Sequence, residues 1–316
     1  MKFTKALLVL SLTAFGFGTV QAKDELYIPV VSKGYQHEFW QTVKLGSDTA
    51  AQELGIRTSF VGPADETQIN QQIQLMEDMM ARQPDAILLA ALDSNALVMP
   101  VEMAKSRNIE IVTFDSGVNS DIPKSFVATN NISAGGDAAM SLGKMLGGKG
   151  KVGIIAHVAG TQSAIERSKG FTDKMKEMYP NIEVLDIQYS DGDPQKAMDK
   201  TIDMYRANPD LAAVYATNEG ATTGVANAIS SMNLSGKVLV MGFDSTEGII
   251  EFLRAGTIQG FIVQDAFQIG YQGIKTLYAV LQGQDVPEII NIPVVIITKE
   301  NIDSPEMQAV LNPFGK

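Results

Sequence analysis

QPDAILLAALDS, residues 83–94, decides the fold. Pro84 ends the helical pattern before it, and AILLAAL (86–92) is an uninterrupted apolar run too short for a helix of its own. A run apolar at every position is the mark of a strand covered on both faces, which belongs to a parallel sheet enclosed by helices. Asp93 and Ser94 follow at once and can cap the helix that runs on to Arg107.

Outward from this stretch the same unit repeats. Upstream, LYIPVV (26–31) precedes a helical pattern from Phe39 to Leu54 closed by Gly55. RTSFV (57–61) then precedes an apolar stripe at Ile69, Ile73, Met76 and Met80. Downstream, IEIVTF (109–114) ends at Asp115-Ser116-Gly117, and SFVATNN (125–131) opens a second series. Its strands are KVGIIA (151–156), IEVLDIQ (182–188), AAVYA (212–216), KVLVMGF (237–243) and IQGFIVQ (258–264). Helical patterns lie between them, over 133–146, 164–178, 194–206, 221–232 and 246–255, and a long one runs from Ala266 to Leu281. Strands alternating with helices imply parallel sheets with right-handed crossovers. There are too many strands for one sheet, so two similar lobes are expected, each a doubly wound α/β sheet. The length agrees with two domains of about 150 residues.

The N-terminal 22 residues read as an export signal. Lys2 and Lys5 form a positive region, Ala6 to Val20 an apolar stretch, and Val20-Gln21-Ala22 a cleavage site. That stretch is shorter than the roughly 20 residues of a spanning helix, and no later stretch qualifies. The expected localisation is therefore the periplasm. There is no cysteine, which removes a lipid-anchored form, and a chain this long can bury a core without disulfides. Removing Lys2 and Lys5 takes the formal charge from −11 to −13, which argues against nucleic acid or an anionic membrane as partner.

The motifs that would carry chemistry fail on context. GKGKVG (148–153) has the spacing of a dinucleotide fingerprint but ends a helix and precedes a strand, the reverse of the required order. Asp191 and Asp193 begin no calcium loop, since positions five, six and twelve of such a loop hold Gln195, Lys196 and Ile202, none of which suits the pattern. No nucleophile motif is present, and the two His fall on different lobes. No catalytic group, metal site or cofactor is expected.

What remains is a set of polar residues at strand ends, where open α/β sheets hold their ligands. These are Ser32, His37, Asp93, Asp115, Asn218, Glu219, Asp244 and Gln264, with Arg167 in the first turns of a helix. Asp93 is equally a helix cap. Phe39 and Trp40, the latter the sole Trp, either stack on a ligand or pack the helix. Carboxylates, amides and one guanidinium suit hydroxyl groups. A phosphorylated ligand would need more cations, so a neutral polyhydroxylated molecule fits.

In order, VVS (30–32) leading to Phe39-Trp40, TFDSG (113–117), VATNN (127–131), AGTQSAIERSKGF (159–171), ATNE (216–219), VMGFDST (240–246) and VQDAFQIGYQG (263–273) resemble the periplasmic sugar-binding proteins of bacterial ABC importers, the ribose/allose/galactose type. The resemblance covers nearly the whole mature chain. It implies two Rossmann-like lobes joined by three crossings near 128–131, 262–266 and 291–295. The N-terminal lobe would then comprise 23–129 and 265–293, and the C-terminal lobe 130–264 and 294–316. It also implies that Phe39 and Trp40 sandwich a sugar ring, that Asp115 accepts sugar hydroxyls, and that Arg167, Asn218, Asp244 and Gln264 close over the ligand. Lobe closure would be what a membrane permease reads.

Several positions depart from the ribose pattern. The loop before Phe39 is one residue longer and carries His37 in place of Asn. Ser116 replaces an Arg and Ala90 an Asn, and the aromatic of the second lobe aligns with Gly192, with Tyr189 nearby. These changes imply extra room and a hexose, ketose, deoxy sugar or cyclic polyol rather than ribose. The expected function is a monomeric receptor that delivers such a ligand to an ABC permease. The alternative is a receptor for a quorum-signalling furanose or a chemotaxis sensor with a chemoreceptor partner. The effector domain of a lac-repressor-type factor shares the fold but would carry a DNA-binding segment where this chain has its leader.

Overall fold

The computed structural model of the protein describes residues 25–311, so the expected export signal lies outside the described residues. Strand β1 (Tyr27–Val31) leads into α1 (Glu38–Leu54), β2 (Arg57–Val61) into α2 (Ile69–Ala81), and β3 (Ala86–Leu89) into α3 (Val98–Ser106). Strands β4 (Glu110–Phe114) and β5 (Phe126–Thr129) follow. The second series is α4 (Asn131–Met145), β6 (Gly150–Ala156), α5 (Gln162–Met178), β7 (Ile182–Val184), β8 (Gln188–Tyr189), α6 (Pro194–Ala207) and β9 (Leu211–Ala216). It continues with α7 (Glu219–Ser231), β10 (Leu239–Phe243), α8 (Glu247–Ala255) and β11 (Gly260–Gln264). Helix α9 (Ala266–Leu281), β12 (Ile289–Ile292), β13 (Val294–Thr298) and α10 (Pro305–Leu311) complete the described chain.

Two sheets result, and they share one topology. The first has the order β12-β5-β4-β3-β1-β2, the second β13-β11-β10-β9-β6-β7, with β8 beside β6. Read from the far edge, both follow the doubly wound order 2-1-3-4-5 with one added strand. Every pairing is parallel except β11 with β13. The apolar runs behave as a doubly covered sheet requires. Along β9, Ala213 and Tyr215 enter one apolar cluster while Val214 and Ala216 enter the cluster on the opposite face. Ile28 and Val30 of β1 likewise face the cluster around Trp40 and Phe114, while Val31 joins the one around Met76 and Met79.

The chain passes between the sheets at three places: from β5 to α4, from β11 to α9, and from β12 to β13. Helix α9 packs on α1, β3, β4 and β5, so it returns to the first sheet, while α4 packs on α5, β10 and β11. Close helix approach is built from glycine. A Cβ at Gly46 of α1 would lie 2.0 Å from the Phe267 carbonyl oxygen of α9.

Two elements differ from expectation. The segment 182–188 forms two short strands, because Leu185 packs into one face of the sheet and Ile187 into the other. Residues two apart share a face in a regular strand, so the pairing must break between them. Helix α3 begins at Val98 rather than directly after Ser94, since Asp93 Oδ1 accepts the Asn95 and Ala96 amides and holds residues 93–97 in a turn.

Candidate ligand-binding site

The carboxyl ends of both sheets face one another, and the loops that leave them supply the site. From the first lobe, the segment after β1 brings Lys33, His37, Phe39 and Trp40. Glu66 follows β2 and Asp115 ends β4. From the second, His157 follows β6, Arg167 projects from α5, and Asn218, Asp244 and Gln264 stand at the ends of β9, β10 and β11. These eleven side chains line one narrow cavity of about 20 Å³. That space holds roughly one water, so a larger ligand holds the lobes further apart than they stand here.

Each lobe places an aspartate at the end of its fourth strand in a left-handed backbone conformation, Asp115 at φ 55° and Asp244 at φ 65°. Asp tolerates this region better than most residues but still at a cost. Such strain persists where the surroundings enforce it, often at ligand sites. The two environments differ. The Lys33 ammonium lies 2.8 Å from Asp115 Oδ2, with both side chains buried. Burial instead pushes Asp244 up to about 6, with the neighbouring charges of Glu219 and Asp115 adding to it and Arg167 and a Gln264 hydrogen bond opposing.

Arg167 is fixed on all sides. Its Nε donates to Asn131 Oδ1, Nη1 to the Thr217 carbonyl and Nη2 to Gln264 Oε1, and its guanidinium lies 3.7 Å from the centre of the Phe243 ring. Gln264 Nε2 in turn donates to Asp244 Oδ1 at 2.8 Å. Asn218 accepts the Ala221 amide as the N-cap of α7, which turns its NH₂ group toward His37 Nε2 at 3.4 Å.

The lobes are clasped from both sides. On one side the Ser94 amide donates to the Gly160 carbonyl, the Thr161 hydroxyl to the Leu92 carbonyl, and the Gly117 amide to Gln162 Oε1. On the other, the Phe39 amide donates to Glu219 Oε2, and His37 Nδ1 lies 3.4 Å from Glu219 Oε1. The His37 ring rests on two glycines: a Cβ at Gly192 would be 3.3 Å from Nε2 and one at Gly220 3.0 Å from Cε1. Burial disfavours the imidazolium, but the Glu219 hydrogen bond and the charges of Glu66, Glu219 and Asp244 outweigh it and raise the His37 pKa. Two wider clefts flank the cavity. One, of about 460 Å³, adjoins Phe39, Asp244 and Gln264, and the other, of about 390 Å³, adjoins His37 and Gly192.

Of the twelve site residues expected from sequence, the structure brings His37, Phe39, Trp40, Asp115, Arg167, Asn218, Asp244 and Gln264 to the cavity. Glu219 and Ser116 lie directly behind, bonded to His37 and Asp115. Ser32 and Asp93 do not reach it. Ser32 donates to the Gly34 and Val61 carbonyls and shapes its own loop, and Asp93 is the turn cap described above. Trp40 both packs and lines, being 1% exposed within the first-lobe core and donating its indole N–H to Glu66. Phe39 and Trp40 meet edge-to-face at 80°, so they do not form the two parallel plates of a sandwich.

The room expected at positions 116 and 192 is occupied. Lys33 fills the space beside Ser116, bonding its hydroxyl at 3.0 Å, and the His37 ring occupies the space in front of Gly192. Tyr189 is not among the lining residues. Sequence reasoning missed Lys33, Glu66 and His157. Lys33 and His157 stand one or two residues past a strand end, so the rule that selected Ser32 and Asp115 also covered them.

This arrangement defines a two-lobed receptor that encloses a small polar ligand. The sequence profile of the family described as the periplasmic binding protein domain matches residues 28–285, and the chain belongs to that family. It is 31% identical over 256 residues to the D-allose-binding periplasmic protein of Escherichia coli K12, covering 78% of this chain and 82% of that protein. In structure it is similar to a carbohydrate transporter solute-binding protein from Agrobacterium radiobacter solved in complex with D-arabinose. That match has a TM-score of 0.88 and 35% identity, and covers 92% of this chain and 99% of the other. An ABC transporter solute-binding protein from Agrobacterium vitis with bound D-fucose superposes with a TM-score of 0.87 and 35% identity over 90% and 99% of the two chains.

Proposed function

We propose that this protein captures a monosaccharide or cyclic polyol between its lobes in the periplasm and delivers it, as a monomer, to an ABC permease, without chemical turnover. The observation that carries the reading is one buried cavity lined from both lobes by three carboxylates, two amides, two aromatic rings, two imidazoles and two cations already engaged within the protein. The ammonium of Lys33 reaches Asp115, Ser116 and Ser163, one for each of its protons. Arg167 is committed to Asn131, Thr217 and Gln264. Lys33 has no donor left and Arg167 has three of its five N–H donors engaged. That is too little uncommitted cationic character to balance a phosphate beside three carboxylates, which favours a neutral ligand. The relatives are named for allose and ribose, and the similar structures hold arabinose and fucose. His37 before Gly192 and Lys33 beside Ser116 take up the space that the changes from the ribose pattern at 192 and 116 suggested. In this reading the three interlobe segments act as the hinge and residues 1–22 as the export signal.

Calorimetric titration with a panel of neutral pentoses, hexoses, deoxy sugars and polyols tests this, with sugar phosphates and uronates as controls. Tight binding of one or a few neutral members is expected. Binding of only the acidic controls, or conversion of a bound sugar seen by mass spectrometry, would overturn it.

A further inference from the structure

A chain of buried hydroxyls joins the two lobes beside Asp115, and its hydrogen atoms can run in only one direction. In the second lobe, Thr217 Oγ1 lies 2.8 Å from His157 Nδ1, and His157 Nε2 lies 3.0 Å from Ser163 Oγ. Across the cleft, Ser163 Oγ lies 3.1 Å from Ser116 Oγ, which lies 2.9 Å from Asp115 Oδ2 in the first lobe. All five residues are at most 4% exposed. The four links need four hydrogens. A neutral imidazole and three hydroxyls supply one each. Asp115, paired with Lys33, has none to give, so Ser116 must donate to it. Ser163 must then donate to Ser116, His157 Nε2–H to Ser163, and the Thr217 hydroxyl to His157 Nδ1. Thr217 Oγ1 also accepts the His157 amide at 3.1 Å, which aims its own hydrogen at the ring. Burial, Lys33, Arg167 and His37 all hold the His157 pKa well below its usual value, consistent with one ring proton.

The acceptors close as well. Ser116 and Ser163 each accept twice, once along the chain and once from Lys33. Asp115 Oδ2 takes Lys33 and Ser116, while Oδ1 receives no donor among the described residues. We propose that His157 is a positioning residue: oriented by Thr217 in its Nε2–H tautomer, it directs the Ser163 hydroxyl across the cleft onto Ser116. Lobe closure thereby completes the donor set on one oxygen of Asp115 and leaves the other to a ligand hydroxyl. The chain is broken when the lobes part, because its central link is the only one that spans them. Closure and acceptor geometry are thus coupled.

The binding part of this inference rests on the sugar-receptor reading; the tautomer part does not. Long-range ¹H–¹⁵N spectra of the full chain, recorded without sugar, read the His157 tautomer directly. A protonated Nε2 and an unprotonated Nδ1 are expected, and a protonated Nδ1 would overturn the proposal. With the tightest-binding neutral sugar of the panel, Ser163→Ala and Thr217→Val are each expected to weaken binding about 3- to 10-fold, the effect of one lost buried hydrogen bond. Thr217→Ser, which keeps the hydroxyl, is expected to bind like the wild type. Wild-type affinity in Ser163→Ala, or equal loss in the Ser and Val variants of Thr217, would refute the positioning role. If no panel sugar binds, the receptor reading fails while the spectrum still decides the orientation of the chain.

Discussion

Replacing Asp115 with Ala separates what this residue does for the fold from what it does for the ligand. Its carboxylate is 2.8 Å from the Lys33 ammonium, with side chains 3% and 4% exposed. Removing one member of such a pair strands the other, at about 3–5 kcal/mol of stability. Binding suffers separately, because the oxygen left free for a ligand hydroxyl is gone. Truncating a buried charged contact costs about 2–5 kcal/mol, a rise in Kd of roughly 30- to 5,000-fold. The double variant Lys33→Met with Asp115→Ala removes the stranded charge at nearly constant volume, so it should regain most of the stability and none of the affinity. Urea unfolding reads the first quantity. The fluorescence of Trp40, the sole Trp and part of the cavity wall, reads the second. Recovery of binding in the double variant would refute the assignment of Asp115 as an acceptor, and an Asp115→Ala protein as stable as the wild type would refute the buried pair.

Gly46→Ala should destabilise by about 1–3 kcal/mol, because a Cβ there meets the Phe267 carbonyl oxygen at 2.0 Å. At an open helix position the same change stabilises by up to ~1 kcal/mol, so the sign of the shift in thermal melting checks the α1–α9 approach. pH should move the Asp244 contribution to stability and the affinity in opposite directions. Asp244, raised to about 6, costs stability while ionised, and this cost is relieved as pH falls through 6. His37, raised by its carboxylates, adds stability that is lost as pH rises through its folded pKa. Between pH 7.5 and 5.5 exposed carboxylates stay ionised. His157, whose pKa is held well below its usual value, opposes these gains, because the unfolded chain takes up a proton that the folded chain refuses. The Asp244 contribution is therefore read as a gain in urea resistance of the ligand-free wild type on acidification relative to Asp244→Asn. Sugar hydroxyls require the ionised Asp244, so affinity should fall below about pH 6. Titrations across this range on wild type and Asp244→Asn check both, and rising affinity on acidification would refute the assignment.

Much of the site follows from one local rule, and its failures are instructive. Residues that end a buried parallel strand face the crevice, and this rule placed Asp115, Asn218, Asp244 and Gln264. It did not distinguish a side chain that turns into the crevice from one that turns back on its own loop. Ser32 and Lys33 are neighbours at the end of β1, yet Ser32 bonds the Gly34 and Val61 carbonyls while Lys33 reaches 83 residues along the chain to Ser116. Which of the two crosses depends on an acceptor brought by another strand, and no local pattern carries that. The same holds for space. Losing a large side chain at positions 116 and 192 suggested room, but side chains from elsewhere in the sequence occupy both places. Alternating helices and strands, by contrast, fixed the two-sheet architecture because burial on both faces is a property of each strand by itself.

The shared strand order of the two lobes makes Asp115 and Asp244 equivalent by position, each at the end of the fourth strand and each held at positive φ. Equivalence of position makes their divergence meaningful. Asp115 has a permanent cation and one hydroxyl donor on the same oxygen, so its carboxylate is compensated whether or not a ligand is present. Among the described residues Asp244 has only an amide donor from Gln264 and the Glu219 backbone N–H, and in the closed cleft burial lifts its pKa. Hydroxyl donors from a ligand would relieve that penalty. Closing without ligand therefore buries an undercompensated carboxylate, whereas closing around a sugar compensates it. Each pKa unit of that shift brought by closure corresponds to about 1.4 kcal/mol, roughly a tenfold bias of the lobe equilibrium. Asp115 thus sets where a hydroxyl must lie, and Asp244 makes closure conditional on one being there.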